Sequence, residues 1–177
     1  SGQAEVSQVL DELSRSTHES ASLGVRQGDD VIVLLRVESD EPLHFVRPPG
    51  THVPMHTSAM GKALLAFGPE ALHDAVRSIA PLVRLTDHTF TSVRRLEADL
   101  RTARDRGYTM VDEEQYLGLR SIGAPVLDES GTARAAVAIQ GPVTRVTDDQ
   151  VPVLADAVRV AAGRLQEVTA WHALLPV

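Results

Sequence analysis

The sequence of 177 residues contains no cysteine, which excludes a disulfide framework and any thiol-based metal or nucleophilic site. It also lacks an uninterrupted apolar run of the roughly 18 residues that a membrane span needs. The N-terminus has no basic segment followed by an apolar one, the pattern of a signal peptide. We therefore expect a cytoplasmic protein with no membrane partner. Its length suffices for one domain with its own core.

Positive charge is scarce, and lysine is almost absent. The chain has 17 Lys and Arg residues against 24 Asp and Glu, a formal net charge of −7, and its only lysine is Lys62. A domain that binds nucleic acid by itself normally carries a basic patch that neutralises phosphates. The arginines here are scattered among acidic residues instead. We therefore expect no direct contact between this segment and DNA.

Signatures of catalysis are also missing. The sequence has no Gly-x-Ser-x-Gly motif and no glycine-rich phosphate loop. His52 and His56 are four residues apart, but Pro54 lies between them, so they do not share a helix face as metal ligands. The acidic run 112–114 is typical of a solvated turn. We expect no enzymatic activity, no metal site and no cofactor.

The first half of the chain predicts one helix, three strands and a loop. Apolar residues at helical spacing come first, and alternating apolar stretches follow. Three prolines then argue against regular structure, because proline lacks a backbone N–H donor and has a fixed φ. The prediction is a helix at 3–14, strands at 20–27, 31–37 and 43–46, and an irregular loop at 47–54.

The second half predicts three helices, three strands and a final helix. Thr57 or Ser58 is placed to cap the first of these helices, and Gly107 to end the third. The final helix is predicted to start near Thr147, with Gln150 placed for a capping box. The other predicted elements are helices at 59–67, after Pro69 and at 92–106, and strands at 108–113, 119–127 and 133–140. Hairpins in two runs, with helices between them, indicate a single α+β domain with an antiparallel sheet.

The segment 56–66 is the first candidate for a binding site. A loop leads there into a helix whose first turn consists of small residues, including Ala59 and Gly61. Unpaired backbone N–H groups and the helix dipole make such a helix start favourable for a carboxylate or another anion. The alternative is that Gly61 only permits tight packing of the helix against the sheet.

The predicted hairpin 119–140 is the second candidate. Because side chains alternate along a strand, six residues of its two strands share one face: Leu119, Ser121, Gly123, Ala136, Ala138 and Gln140. Ser121 and Gln140 are the polar members of this otherwise small and apolar face, and buried polar groups need partners. A bound ligand supplies such partners, whereas a close-packed helix with internal hydrogen bonds is the alternative.

These segments resemble the effector-binding domain of IclR-type transcriptional regulators. The resemblance is carried by GTHVPMHTSAMGKALLA at 50–66, GLRSIGAPV at 118–126 and GPVTRVT at 141–147, together with 107–108, 112–114 and 128–131. It runs in order over about residues 6–168. Each motif is weak alone, but their order along the chain is specific.

The resemblance implies a GAF- or profilin-like domain, a curved antiparallel sheet of about six strands flanked by helices. It implies that a small-molecule effector, often an organic acid, binds between the sheet and the loop–helix segment. Residues 1–16 would then be the end of an interdomain linker helix, and 17–177 the effector-binding domain. Operator DNA would be bound only through a winged helix-turn-helix domain absent from this chain, in a homodimer or homotetramer.

The family's effector-binding positions fall on a small set of residues in this chain. Together with Leu119 from the hairpin pattern, they are Ala59, Met60, Gly61, Val111, Ser121, Ala138 and Gln140. Family members often carry cysteine at the position of Ser121 and polar residues at Val111 and Ala138. With fewer polar partners, we expect an effector with an apolar or aromatic body and one carboxylate, rather than a very small keto acid.

Two other functions are compatible with the sequence. One is an oligomerisation module with a filled core and no ligand. The other is a small stand-alone enzyme with Ser121, His56 and Glu114 gathered around the cavity, which requires all three within hydrogen-bond reach of one reacting atom.

Overall fold

The computed structural model of the protein describes residues 2–168, which form five helices and six strands. The helices are α1 (Gly2–Thr17), α2 (Ala59–Ala66), α3 (Leu72–Ser78), α4 (Val93–Arg106) and α5 (Val151–Glu167). The strands are β1 (Ser20–Gln27), β2 (Asp30–Val37), β3 (His52–Pro54), β4 (Thr109–Asp112), β5 (Leu119–Leu127) and β6 (Ala133–Pro142).

The six strands form one antiparallel sheet, curled into a half-barrel, in the order β3-β2-β1-β6-β5-β4. The two halves of the chain meet in its centre, where β1 pairs with β6 and Ser20 lies opposite Gln140. The predicted α+β class and the curved antiparallel sheet flanked by helices are confirmed.

Helices cover both faces of the sheet, and each face has its own apolar core. The core beneath α1 and α5 includes Ile122 and Val137 of the β5–β6 hairpin. The core beneath α2, α3 and α4 includes Ala136 and Ala138 of the same hairpin. The predicted small-residue face of the hairpin therefore lies beneath the α2 side.

The third strand lies later in the chain than predicted. Residues 43–46 form no strand, and β3 lies instead within the segment 47–54 that was predicted to be irregular. In β3, Val53 is opposite Val31 and Pro54 is opposite Asp30. An edge strand tolerates proline because one side of its backbone needs no ladder partner. The edge position follows from the tertiary fold and not from the local sequence.

Helix ends follow the sequence signals at two places and depart from them at one. Ser58 caps α2, since its Oγ accepts a hydrogen bond from the Gly61 N–H at 3.0 Å. Gly107 ends α4 with a left-handed φ of 85°. The capping box predicted for the last helix is wrong, because α5 begins at Val151 and Gln150 makes no side-chain cap bond. Proline is favoured in a first turn, which places Pro152 there.

Helix α1 is part of the domain's core. Its buried apolar residues are Val6, Val9, Leu10 and Leu13, and they belong to the cluster that also contains residues of α5. The role of residues 1–16 as the end of a linker stays a prediction, and the last nine residues of the predicted domain 17–177 lie outside the described part. No described helix is long and apolar enough to cross a membrane.

Candidate functional site

A narrow cavity lies between the start of α2 and the sheet. Seven of the eight predicted site residues line it, namely Ala59, Met60, Val111, Leu119, Ser121, Ala138 and Gln140. The other five lining residues were not predicted as site residues, although Ser58 was predicted as a helix cap; they are Ser22, Arg36, Arg47, Ser58 and Gln115. Five strands, one helix and three loops therefore contribute to a single cavity.

Gly61 faces away from this cavity. A Cβ atom at Gly61 would lie 2.3 Å from the carbonyl oxygen of Met55, so the backbone of the loop before α2 occupies the space of a side chain. The contacts of Gly61 therefore match the alternative prediction of a packing residue, but Gly61 packs against the loop and not against the sheet.

The strand register brings the hairpin residues together. Ser121 lies opposite Gln140, and Gly123 lies opposite Ala138. A Cβ atom at Gly123 would lie 2.8 Å from the carbonyl oxygen of Ala59. The first turn of α2 therefore rests directly on Gly123, and the cavity remains beside that contact. Small residues on this face permit both the close helix and the cavity.

Several polar groups at the cavity lack a protein partner. Gln140 is 6 % exposed, and its Oε1 has no hydrogen-bond partner among the described residues. The N–H groups of Ala59 and Met60, in the first turn of α2, find no acceptor within residues 2–168. Ser121 is satisfied, because its Oγ donates to the carbonyl of Ile139 at 2.9 Å. Unpaired buried polar groups are rare in folded proteins, so these groups are available to a ligand in the cavity.

Two arginines line the cavity, and neither was predicted. The Arg36 side chain is 2 % exposed. Its guanidinium donates to Glu38 Oε1 at 2.8 Å, to Ser22 Oγ at 3.1 Å and to the carbonyl of Phe45 at 2.6 Å. The signal for Arg36 was present in the sequence, since it is the only charged residue inside the apolar stretch 31–37.

Arg47 lies beside Arg36 and has a weaker set of partners. Its Nη2 donates to the neutral Gln115 Oε1 at 3.1 Å, 68 residues away in sequence. Burial, together with the positive charge of Arg36, lowers the pKa of Arg47 to about 10. The guanidinium stays charged at neutral pH, but its charge is poorly compensated. Arg47 lies in the proline-containing loop, where no periodic pattern distinguishes it.

The cavity has little free space. Its walls and mouth enclose about 330 Å³ of space between atoms, but the centre of a water molecule can occupy only about 10 Å³. The smaller value decides what fits, because the larger one includes open solvent. A volume of roughly 10–15 Å³ holds one water molecule. An effector therefore requires a more open arrangement of these side chains.

A wider groove lies next to the cavity and shares Arg47 with it. The groove has a volume of about 340 Å³ and is lined by Phe45, Val46, Arg47, Pro48, Thr51 and Tyr116. The rings of Phe45 and Tyr116 stack there with their centroids 6.3 Å apart. We call this surface the outer groove. Arg47 thus lies between a small polar cavity and a larger, mostly apolar groove.

Comparison with known proteins identifies the family. Residues 3–167 match the family described as bacterial transcriptional regulator IclR, C-terminal. The chain belongs to the IclR family. The match corresponds to the C-terminal domain of regulators of this family, as the motifs and the fold had indicated.

Three relatives illustrate this membership. The HTH-type transcriptional regulator BhcR of Paracoccus denitrificans is 39 % identical over 158 residues, covering 89 % of this chain and 56 % of BhcR. The crystal structure of Thermotoga maritima IclR matches with a TM-score of 0.87 and 27 % identity, covering 94 % of this chain and 68 % of that one. The chain therefore spans little more than half the length of BhcR.

A third similar protein has a solved structure that contains a ligand. The inducer-binding domain of PobR from Acinetobacter, a double mutant in complex with 3-hydroxybenzoic acid, matches with a TM-score of 0.79 and 25 % identity. The match covers 90 % of this chain and 94 % of that domain.

The residues of the alternative enzyme do not gather at this cavity of the IclR-type domain. Ser121 lines it, but His56 and Glu114 do not. His56 Nε2 is 2.8 Å from the carbonyl of Val83, and Glu114 Oε1 is 2.7 Å from Lys62 Nζ. Each has a separate structural contact, so the described residues provide no acid–base set around Ser121.

One further cluster of polar side chains lies at the surface. Within the described part of the chain, one group of three side chains has its metal-binding atoms within 4.8 Å of one another. These side chains are His18, Asp40 and Glu41. His18 and Asp40 are largely exposed. Exposed acidic groups often come together without binding an ion, and no second feature of the structure indicates a metal there.

Proposed function

We propose that the effector of this domain is an organic carboxylate that binds in the cavity between α2 and the sheet. The observation that carries the proposal is the character of the cavity wall. Among the described residues it contains two arginines and no acidic side chain, and the free N–H groups of Ala59 and Met60 lie at the start of a helix. Donors of this kind favour a carboxylate.

The neighbouring structures support this class of ligand. The PobR inducer-binding domain is in complex with 3-hydroxybenzoic acid, an aromatic carboxylate. In this chain, the apolar residues Val111, Leu119 and Ala138 offer a surface for an apolar or aromatic body. The eight residues predicted from the sequence stay the proposed site, with Gly61 shaping the loop behind it.

Effector binding must open the cavity, because about 10 Å³ holds no organic acid. Met60 is a lining residue with a flexible side chain, which adapts its shape more easily than a branched one. A ligand that binds only the opened form shifts the population toward that form, by no more than its difference in affinity for the two. In a regulator that joins this domain to a winged helix-turn-helix, the shift changes operator affinity. A homodimer or homotetramer stays a prediction.

Thermal unfolding of this chain with a panel of aliphatic and aromatic carboxylates tests the proposal. Each acid is compared with its neutral amide, for example benzoate with benzamide and hexanoate with hexanamide. A ligand at about 100 times its dissociation constant adds roughly 2.7 kcal/mol to the unfolding free energy. For a domain of this size, the unfolding midpoint rises by about 5–10 °C.

We expect the midpoint to rise with a subset of related acids and to stay unchanged with their amides. The rise should disappear in Gln140→Leu, which removes the side-chain amide and its N–H donors from the cavity wall. An equal rise with acids and amides, or no rise with any acid of the panel, overturns the proposal. The second outcome instead favours an oligomerisation module without a ligand.

A further inference from the structure

The two guanidinium groups at the cavity differ in their counter-charges. Arg36 donates to Glu38 Oε1 at 2.8 Å, and the other oxygen of Glu38 accepts from Ser20 Oγ at 3.2 Å. The guanidinium of Arg47 has no carboxylate at ion-pair distance within residues 2–168, and the backbone N–H of Arg47 is the group that contacts Glu38, at 3.4 Å. The cavity wall therefore carries a positive charge that no described group pairs.

Arg47 also occupies a separate place from the anion-binding start of α2. The N–H groups of Ala59 and Met60 belong to the helix, whereas Arg47 comes from the loop between β2 and β3. Both line the same cavity, and Arg47 alone among the cavity residues also lines the outer groove. A ligand that extends from the cavity toward the groove meets the helix start and Arg47 with different parts of its structure.

We propose that the effector carries a second anionic group and that Arg47 binds it, while the first carboxylate lies at the N–H groups of Ala59 and Met60. This inference rests on the proposed function and narrows it to a dianion, such as a dicarboxylate with an apolar spacer. The planar guanidinium of Arg47 can donate two parallel hydrogen bonds to one carboxylate. Binding exchanges the bond to Gln115 for a charged partner. The sequence pattern alone predicted one carboxylate.

Calorimetric titration of the whole chain with matched pairs of acids tests this proposal. Each pair has the same carbon skeleton and differs by one acid group: butanoate and butanedioate, hexanoate and hexanedioate, benzoate and benzene-1,3-dicarboxylate. The measured quantity is the ratio of the two dissociation constants within one protein variant. This ratio is insensitive to a general loss of stability, because both ligands bind the same folded protein.

In the wild type, we expect at least one dicarboxylate to bind about 10 to 100 times more tightly than its monocarboxylate. A hydrogen-bonded pair of opposite charges contributes an affinity gain of this size. In Arg47→Gln, the ratio should fall to about one while the monocarboxylate affinity stays within about threefold, since the helix start is intact. Arg47→Lys should restore part of the ratio. Arg134→Gln removes the same charge from an exposed side chain of β6 and should leave the ratio unchanged.

The outcomes separate this inference from the proposed function. Equal binding of both members of every pair, or a ratio that survives in Arg47→Gln, overturns the second anionic group and leaves the carboxylate effector in place. Absence of binding by all acids, mono and di, overturns both. A fall of the ratio in Arg134→Gln as large as in Arg47→Gln assigns the effect to overall charge and also overturns the role of Arg47.

Discussion

The only lysine of the chain, Lys62, lies 2.7 Å from Glu114, and both side chains are buried. Lys62 Nζ also donates to Asp99 Oδ2 at 2.8 Å and to the carbonyl of Met110 at 2.9 Å. One buried cation therefore joins α2, α4, β4 and the loop after β4. Gln115, which follows Glu114, lines the cavity, so this ion pair also anchors part of the site.

Removing the cation should destabilise the domain strongly. In Lys62→Met, the carboxylates of Asp99 and Glu114 lose their shared partner, and loss of one member of a buried ion pair costs about 3–5 kcal/mol. The urea midpoint of unfolding measures this loss. Asp156→Asn is the control, because its pair with Arg159 is exposed and worth about 0–1 kcal/mol. Similar unfolding midpoints for the two variants would show that the contacts of Lys62 with Asp99 and Glu114 do not stabilise the domain.

The Glu114 carboxyl should make stability depend on pH. Burial raises its pKa above the ordinary value of 4.5, although the Lys62 ammonium acts in the opposite direction. The folded state then binds this proton more tightly than the unfolded state, so the stability that this group contributes falls as the pH rises from about 4.5 through the raised pKa. The measurement is the unfolding free energy of wild type minus that of Glu114→Gln, in steps of pH. A difference that is constant or rises over this window contradicts the raised pKa.

The unpartnered atom of Gln140 should cost stability in the absence of ligand. Gln140→Leu replaces it with an apolar side chain of similar size, and we expect the free energy of unfolding to rise by about 1 kcal/mol. Thr57→Val is a matched control, because Thr57 Oγ1 is also buried with no partner in the part of the chain that the structure describes, but Thr57 does not line the cavity. Both variants should unfold at higher temperature, and only Gln140→Leu should lose the response to carboxylates. Equal ligand responses in the two variants would remove Gln140 from the site.

Two glycines in helices should respond to alanine in opposite ways. Gly61→Ala places a Cβ atom against the backbone of Met55, and overpacking of this kind costs about 1–3 kcal/mol. Gly163 lies in α5, and among the described residues a Cβ there would meet nothing within 4 Å outside the nearby backbone of its own helix, so Gly163→Ala should stabilise the domain by about 0.5–1 kcal/mol. Urea unfolding of both variants checks the signs. A neutral result for Gly61→Ala would mean that the loop before α2 moves freely.

The sequence alone predicted much of the fold, because its signals are local. Ser58 and Gly107 mark helix ends through hydrogen bonds and a φ value that involve neighbouring residues. Alternation along β5 and β6 placed Ser121 and Gln140 on one face, and the strand register confirmed it. The error at residues 43–46 arose because the edge position of β3 depends on distant contacts. The error at Gln150 has a local cause, because Pro152 occupies the first turn of α5.

For the candidate cavity too, some residues could be predicted from the sequence and others only from the structure. Seven predicted residues come from strand alternation and from the family resemblance that the motifs carry. The pairing of Arg47 with Gln115 spans 68 residues, and the burial of Lys62 depends on Asp99 and Glu114 from other elements. Local sequence therefore determined which faces are small or apolar. Only the tertiary structure decided where charge is left unpaired, because that depends on which side chains meet across the fold.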